Sequence, residues 1–408
     1  MLGEPIGLEA WIIFSLSYGV FAIGRLPGTR VDRAAMAFIG AVAMFAVGAI
    51  DGRTAVTSLD YRTLVLLFSM MVLVAVLHLE GFFEWISAHL VERLNASHLL
   101  PGVIFSAGIL SAFLVNDVVC LFMAPLILKL TRRMGRHPLP FLLALATASN
   151  IGSAATITGN PQNMLIGSVS HIAYRDFIFH LGPISLIGLF LNWMIIAVLY
   201  RKQLKEQLPQ ETDGDSNPKL DGLAAPLLIA IGIIIAFLAG LNPALVAACG
   251  AALLILLRSR LLTPIYREID WSLLVLFIGL FLIVGAAQHT GIAGTLLRTA
   301  ERLNLHNLAI FSVAVAFLSN IVSNVPAVML LKDLVPQFQN AHQFWLALAM
   351  SSTLAGNLTI TGSIANIIVV ETVRPHVRIT FKDYLVLGVP TTIVTTAVGI
   401  AWITWFTR

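Results

Sequence analysis

Two 37-residue segments, 138–174 and 334–370, contain no Asp, Glu, Lys or Arg, and both are interrupted by Gly, Ser, Thr and Asn. Segments so long and uncharged demand burial or a hydrocarbon solvent, yet their small polar residues break up a simple spanning helix. The rest of the chain is of the same kind. Of 408 residues, 58% are apolar and 11% charged, against roughly 25% charged in an average soluble domain. Such a chain cannot cover a soluble surface, so it reads as an all-α polytopic membrane protein. No basic cluster with interleaved aromatics is present, and no nucleic acid partner is expected. Two cysteines, Cys120 and Cys249, make neither a disulfide framework nor a thiolate metal cage. Glu4 and Glu9 replace a positive n-region, so no cleaved signal peptide is expected.

Plain spanning candidates are 9–26, 34–50, 61–79, 183–200, 223–240, 243–257, 271–288 and 384–406. The polar stretch 201–222 is the one clear linker, dividing a first half, 1–200, from a second, 223–408. Each half carries an apolar stretch with a polar pair at its centre: Asn116-Asp117 in 99–136 and Ser323-Asn324 in 305–340. These read as re-entrant hairpins. The uncharged segments read as broken helices, 138–174 and 343–373, each crossing once as helix, unwound stretch and helix.

The halves repeat. Leu59-Asp60-Tyr61 parallels Ile269-Asp270-Trp271, and Glu92 to Asn95 parallels Glu301 to Asn304. Ser111 to Asn116 parallels Ser319 to Asn324, and Arg175-Asp176-Phe177 parallels Lys382-Asp383-Tyr384. The strongest match is Thr156-Ile157-Thr158-Gly159 with Asn163, which recurs as Thr359-Ile360-Thr361-Gly362 with Asn366. A repeat with breaks at matching positions is the best sequence pointer to a transporter site near the bilayer midplane. With two hairpins each half crosses five times, which inverts the second half and gives about ten transmembrane helices in all. The loops 25–33, 80–98, 129–137, 201–222, 258–267 and 374–382 then share one side and hold 18 of the 25 Lys and Arg residues. That side, with the 201–222 linker, is cytoplasmic by the positive-inside rule, and both termini face out.

Unwinding frees backbone carbonyls, which bind cations, and N–H groups, which bind anions or polar oxygens. Asn150, Ser153, Thr156, Thr158, Gly159, Asn160 and Asn163 add neutral donors, acceptors and room for close approach. Asn357, Thr359, Thr361, Gly362, Ser363 and Asn366 do so in the second half. A lone Ser or Thr more often glues helices together, but two repeated clusters add little packing volume and coincide with breaks. Asp117 is the only charged residue in 99–128. A carboxylate mid-membrane costs about 2.5–3.5 kcal/mol on insertion scales, so it is a candidate proton carrier or cation ligand. The matching residue of the second half is Val325. With no Lys or Arg near these motifs, a neutral or singly charged solute fits more easily than a multiply charged anion. The short stretch 82–95 reads as an interfacial helix, and Cys120 as a small apolar filler. Asn95-Ala96-Ser97 and Asn357-Leu358-Thr359 match the glycosylation pattern, the second inside the membrane reading. No phosphate loop, HExxH, GxSxG or TVGYG stretch occurs, and neither enzymatic chemistry nor a cofactor is expected.

Leu114-Val115-Asn116-Asp117, followed by Ala124-Pro125, resembles the first hairpin of the arsenite and antimonite permeases. Ala148 to Gly152 and Thr158 to Asn163 are similar to the broken helix of the wider ion transporter superfamily, which includes divalent anion/sodium symporters. Ser323 to Pro326 and Ala355 to Ser363 look like the second-half counterparts. The resemblance covers roughly 55–400. It implies a transport unit of two hairpins and two broken helices, a scaffold that supports a homodimer, and solute held between hairpin tips and broken helices. It also implies a cell inner membrane location and, on the arsenite branch, an ATPase subunit as partner. The first functional reading is proton-coupled efflux of arsenite and antimonite. Asp117 carries the proton, and Asn116, the Thr158–Asn163 turn, Asn324 and the Thr361–Ser363 turn line the solute site. The second is sodium-coupled symport of carboxylates or small inorganic anions. There, carbonyls near Asn116, Gly159, Asn324 and Gly362 bind sodium. The third is a passive channel. If Asp117 is the proton carrier, Asp117→Asn abolishes the pH dependence of transport in membrane vesicles; unchanged pH dependence removes that role.

Overall fold

A computed structural model of the chain describes residues 7–93, 98–209, 222–290, 292, 295, 298 and 301–407, and side chains except at 90–93. The core of the linker, the Leu94-Asn95 end of one repeat match and the Asn95-Ala96-Ser97 sequence lie outside the described residues, as do 1–6 and 408. Among the described residues the only β pairings are two isolated bridges, Arg25 with Asp32 and Arg136 with Gln207. Everything else regular is helix.

The first half runs α1 (Leu8–Ile23), α2 (Arg33–Ala46), α3 (Gly52–Ser58), α4 (Tyr61–Leu79) and α5 (Phe82–Arg93). It continues with α6 (Leu99–Phe113), α7 (Asn116–Arg133), α8 (Pro138–Ser153), α9 (Pro161–Ser170), α10 (Tyr174–Leu199) and the short α11 (Arg201–Lys205). The second runs α12 (Ala224–Leu238), α13 (Pro243–Leu257), α14 (Leu262–Glu268), α15 (Trp271–His289), α16 (Leu308–Val322) and α17 (Asn324–Leu331). It ends with α18 (Ala341–Leu354), α19 (Ile364–Val373) and α20 (Phe381–Phe406).

The repeated sequence motifs are start and break signals. Asp60 and Asp270 are the N-caps of α4 and α15, both 19 residues long, accepting from Arg62 N and Leu273 N. The hairpin pairs α6–α7 and α16–α17 break at Leu114–Val115 and at Ser323. Ser323 sits at φ 77°, ψ 159°, a region nearly confined to glycine that costs a side chain about 1–3 kcal/mol. The broken helices are α8–α9 and α18–α19. Each is interrupted by a 3₁₀ turn with the same sequence, Ile157–Gly159 and Ile360–Gly362. The residues before these turns superpose in conformation: Thr156 has φ −136°, ψ 163°, and Thr359 φ −137°, ψ 162°. Pro161 at the first turn of α9, behind the Asn160 cap, restarts the first helix.

The halves are interlocked rather than side by side. α2 of the first lies along α15 of the second, and α13 of the second lies along α4 of the first. α10 and α20, both 26 residues, pack on each other. Small residues permit the closest approaches, since helices in lipid associate by packing rather than by expelling water. On one side, the Glu80 carboxylate pairs with Arg258 at 2.6 Å, and Arg258 also donates to the Gly222 carbonyl at 2.6 Å. This joins the end of α4 to both ends of the α12–α13 pair.

Among the described residues four helices, α4, α10, α15 and α20, are alone long and apolar enough to cross a membrane; α13 with Ser259–Glu268, bent by 91°, makes a fifth candidate. The ten crossings read from the sequence include shorter apolar helices such as α2 and α12. A 15-residue helix rises only about 22 Å, less than the roughly 30 Å hydrocarbon core. Hydropathy runs through the turns that end these helices, and so overstates their length.

Gly279 of α15 faces α2 so closely that a Cβ there would lie 2.5 Å from the Ala37 backbone. Gly279→Ala therefore lowers stability in detergent by about 1–3 kcal/mol, read as a lower thermal unfolding midpoint. Gly232→Ala, which faces open space on α12, does not lower the midpoint.

Candidate functional site

Breaking a helix inside a membrane leaves carbonyls and N–H groups without partners, and each must be satisfied within the protein. Two asparagines do this by the same geometry. Asn163 Nδ2 donates to the carbonyls of Ser153 (3.2 Å) and Thr156 (3.0 Å). Asn366 Nδ2 donates to those of Gly356 (2.6 Å) and Thr359 (3.0 Å). In both cases the partners lie ten and seven residues upstream. Both side chains are fully buried. Glycine is needed at the turn itself, because a Cβ on Gly159 would collide with the Ser153 carbonyl.

The two broken helices then exchange side chains. Asn150, at the end of α8, uses its whole hydrogen-bonding capacity. Its Oδ1 accepts from Asn116 Nδ2 (3.1 Å) and Ser363 Oγ (2.9 Å), and its Nδ2 donates to Asn357 Oδ1 and Asn366 Oδ1 (both 2.9 Å). The counterpart of Asn150 is Thr353. It accepts from Asn160 Nδ2 (3.2 Å) and Gln162 Nε2 (3.3 Å) and donates to Asn163 Oδ1 (3.5 Å). Each broken helix thus grips the turn of the other. Asn357 Nδ2 reaches the Thr147 carbonyl (3.3 Å), and Thr147 Oγ1 accepts from Asn192 of α10 (2.9 Å), which accepts from Thr391 of α20 (3.4 Å).

The hairpin tips close on this centre. The Asn324 amide nitrogen donates to the carbonyls of Ser352 (3.0 Å) and Gly362 (3.3 Å). A Cβ on Gly356 would lie 3.5 Å from the side-chain amides of both Asn150 and Asn324. Asp117, in the first turn of α7, packs its carboxyl against the Ala365 backbone N–H at the start of α19. A negative group is favoured at both these helix starts. The carboxyl of the first hairpin therefore meets the second broken helix, while Val325 occupies the matching place on α17, which packs on α9.

The sequence-selected residues thus gather in one place but divide in what they do. Asn150, Asn160, Asn163, Asn357, Ser363 and Asn366 are buried and their donors are spent on the protein. In this structure they build the unwound turns. Thr158 is buried and bonded to the Tyr174 hydroxyl at 2.8 Å. Polar capacity is left on Asn116, whose Oδ1 is buried without a partner, on the half-buried Asp117 and Thr359, and on the exposed Thr361. Cys120 donates to Ser149 Oγ at 3.0 Å, more than apolar filling.

Several participants escaped the sequence reading, Thr353, Asn320 and Tyr174 among them. Thr353 is hidden because its counterpart is an asparagine. Asn320 replaces Ala112 of the first half; it donates to the Ala355 carbonyl (2.9 Å) and accepts from Thr359 Oγ1 (3.3 Å). Tyr174 lies outside every matched motif. Among the described residues no three His, Cys, Asp or Glu side chains gather as a metal site.

Removing either clamp strands two buried carbonyls. Asn163→Ala and Asn366→Ala each cost about 1–3 kcal/mol, with matching falls in unfolding midpoint and faster amide exchange confined to 153–163 and 356–366 respectively.

The citrate transporter family, CitMHS, matches residues 11–349. The chain is 30% identical to the silicon efflux transporter LSI3 of Oryza sativa subsp. japonica, over 95% of this chain and 96% of that one. It is 26% identical to the putative transporter arsB of Dictyostelium discoideum, over 95% of this chain and 90% of that one. The crystal structure of the Alcanivorax borkumensis YdaH transporter, described as having an unusual topology, shares the fold with a TM-score of 0.58. It is 15% identical and covers 98% of this chain and 97% of its own. The family matched bears the name of citrate, where the motifs had pointed to the arsenite permease branch of the same superfamily. The chain belongs to the CitMHS citrate transporter family of the ion transporter superfamily, a family of secondary transporters.

Proposed function

We propose that this protein is a proton-coupled efflux transporter for small neutral metalloid hydroxides, arsenite and antimonite first among them. One observation carries the reading. The centre where both halves meet is made of amides, hydroxyls and backbone dipoles with one carboxyl, Asp117, and no Lys or Arg occurs in 99–128, 138–174, 305–331 or 334–370. Arsenous acid is uncharged at physiological pH and carries only hydroxyl groups. Such a solute needs hydrogen-bond partners and no counter-charge, whereas a multiply charged anion desolvated here would lack one. The silicon efflux relative is named for an element whose dissolved form is also a neutral hydroxide, and the arsB relative supports the same class. Asn116, Asp117, Asn324, Thr359 and Thr361 line the solute site in this reading, the buried asparagines holding them in place. Asp117 takes a proton from outside and exchanges it as solute leaves. The protein sits in the cell inner membrane with the 201–222 linker cytoplasmic and both termini outside, as the 18 Lys and Arg residues on one side support.

The family is named for citrate, which fits the second reading, sodium-coupled symport of carboxylates. In it, sodium ions held by carbonyls of the unwound turns supply the charge that the side chains lack. Everted vesicles separate the two. Under the first reading, antimonite accumulates when the vesicles are energised, the accumulation collapses with a protonophore, and Asp117→Asn does not accumulate it. Sodium-dependent citrate transport without antimonite accumulation establishes the second instead. Flux without saturation or coupling overturns both in favour of a channel.

A further inference from the structure

A cavity of about 260 Å³ lies between two parts of the protein. Arg62 of α4 and Asn242 at the start of α13 stand on one side; Ser168 and His171 at the end of α9 stand on the other. The rim is open, with Arg62, His171 and Asn242 exposed. The floor is closed: Ile157 and Tyr174 are each 2% exposed. Ile157 belongs to the first unwound turn, so the cavity reaches down to that turn, beside the one other floor side chain that bonds into it.

That side chain is Tyr174, the first residue of α10. Its hydroxyl bonds Thr158 Oγ1 at 2.8 Å, Thr158 lies 3.4 Å from Thr156 Oγ1, and Thr156 donates to the Ala112 carbonyl of the first hairpin. Its ring lies 5.0 Å from that of Phe237 on α12. A chain of hydroxyls therefore runs from the cavity floor to the hairpin that presents Asn116.

The second half is built differently at this point. The residue matching Tyr174 is Phe381, the first of α20, which has no hydroxyl and is 54% exposed. Thr361, the match of Thr158, is exposed. Two turns of the same sequence and conformation are thus covered in one half and uncovered in the other.

We propose that the cavity is the extracytoplasmic vestibule of the transport path and that Tyr174 is its gate. Tyr174 holds the Thr158 hydroxyl until the path opens to that side, where a small hydroxylated solute takes the bond over. Tyr174 is a positioning residue, acting through Thr158 and the hairpin. The choice of solute and of side rests on the function proposed above; the gate itself is tested without any solute. In a Cys249→Ala background, Cys120 being buried, Ser168→Cys and Ile157→Cys report on rim and floor through a membrane-impermeant methanethiosulfonate reagent. Right-side-out and everted vesicles are compared. Ser168→Cys is expected to react in right-side-out vesicles alone. Ile157→Cys is expected to react slowly, and about tenfold faster with Tyr174→Phe, the factor that one lost hydrogen bond of about 1.4 kcal/mol carries. Ser168→Cys reacts equally in both backgrounds, which shows that Tyr174→Phe folds. Reaction of Ser168→Cys in everted vesicles alone overturns the vestibule, and an unchanged Ile157→Cys rate overturns the gate. Failure of antimonite transport with these labelling results intact rejects the solute and leaves the gate standing.

Discussion

The structure depends on satisfying backbone groups where two helices are unwound inside a membrane. A broken helix offers a solute its carbonyls and N–H groups, but each group left unpaired in hydrocarbon costs several kcal/mol. Asn163 and Asn366 resolve this by bonding the carbonyls ten and seven residues upstream, within their own turns. Their oxygens are then held by Thr353 and Asn150 of the opposite half. Neither turn is a self-contained unit; each keeps its shape because the other is present.

This reciprocity explains why the chain is a repeat and also why the repeat is imperfect. Interlocked pairs α2–α15 and α4–α13 and the packed α10–α20 pair bring the two broken helices together with related surroundings. On that symmetric frame a few positions differ: Asp117 against Val325, Tyr174 against Phe381, Asn320 against Ala112. These substitutions add a titratable group to one hairpin and a cover to one turn. A transporter must treat its two sides alternately, and differences at equivalent positions let one frame do so with different chemistry on each side.

Much of the architecture was legible in the sequence because it is written locally. Asp60 and Asp270 mark helix starts, Pro161 follows a cap, and the Thr-Ile-Thr-Gly turns announce their breaks at both places. Helix lengths were less legible, since apolar residues continue through the turns that end α2 and α12. The site was legible as a set of residues but not as a set of roles. A pattern search shows that Asn163 and Asn366 recur together; it does not show that their donors face backbone rather than solute. Thr353, Asn320 and Tyr174 act through partners far away in sequence and replace their counterparts with different residue types, so self-comparison passes over them.

The proposed function requires that a site of neutral dipoles move an uncharged solute against protons through one carboxyl. Sealed proteoliposomes with an entrapped pH dye test it directly. With sodium absent and no ionophore, an antimonite gradient is predicted to drive protons in the opposite direction, and to drive none when Asp117 is replaced by Asn. Proton movement that requires sodium, or an antimonite gradient that moves no protons in the unaltered protein, contradicts the account.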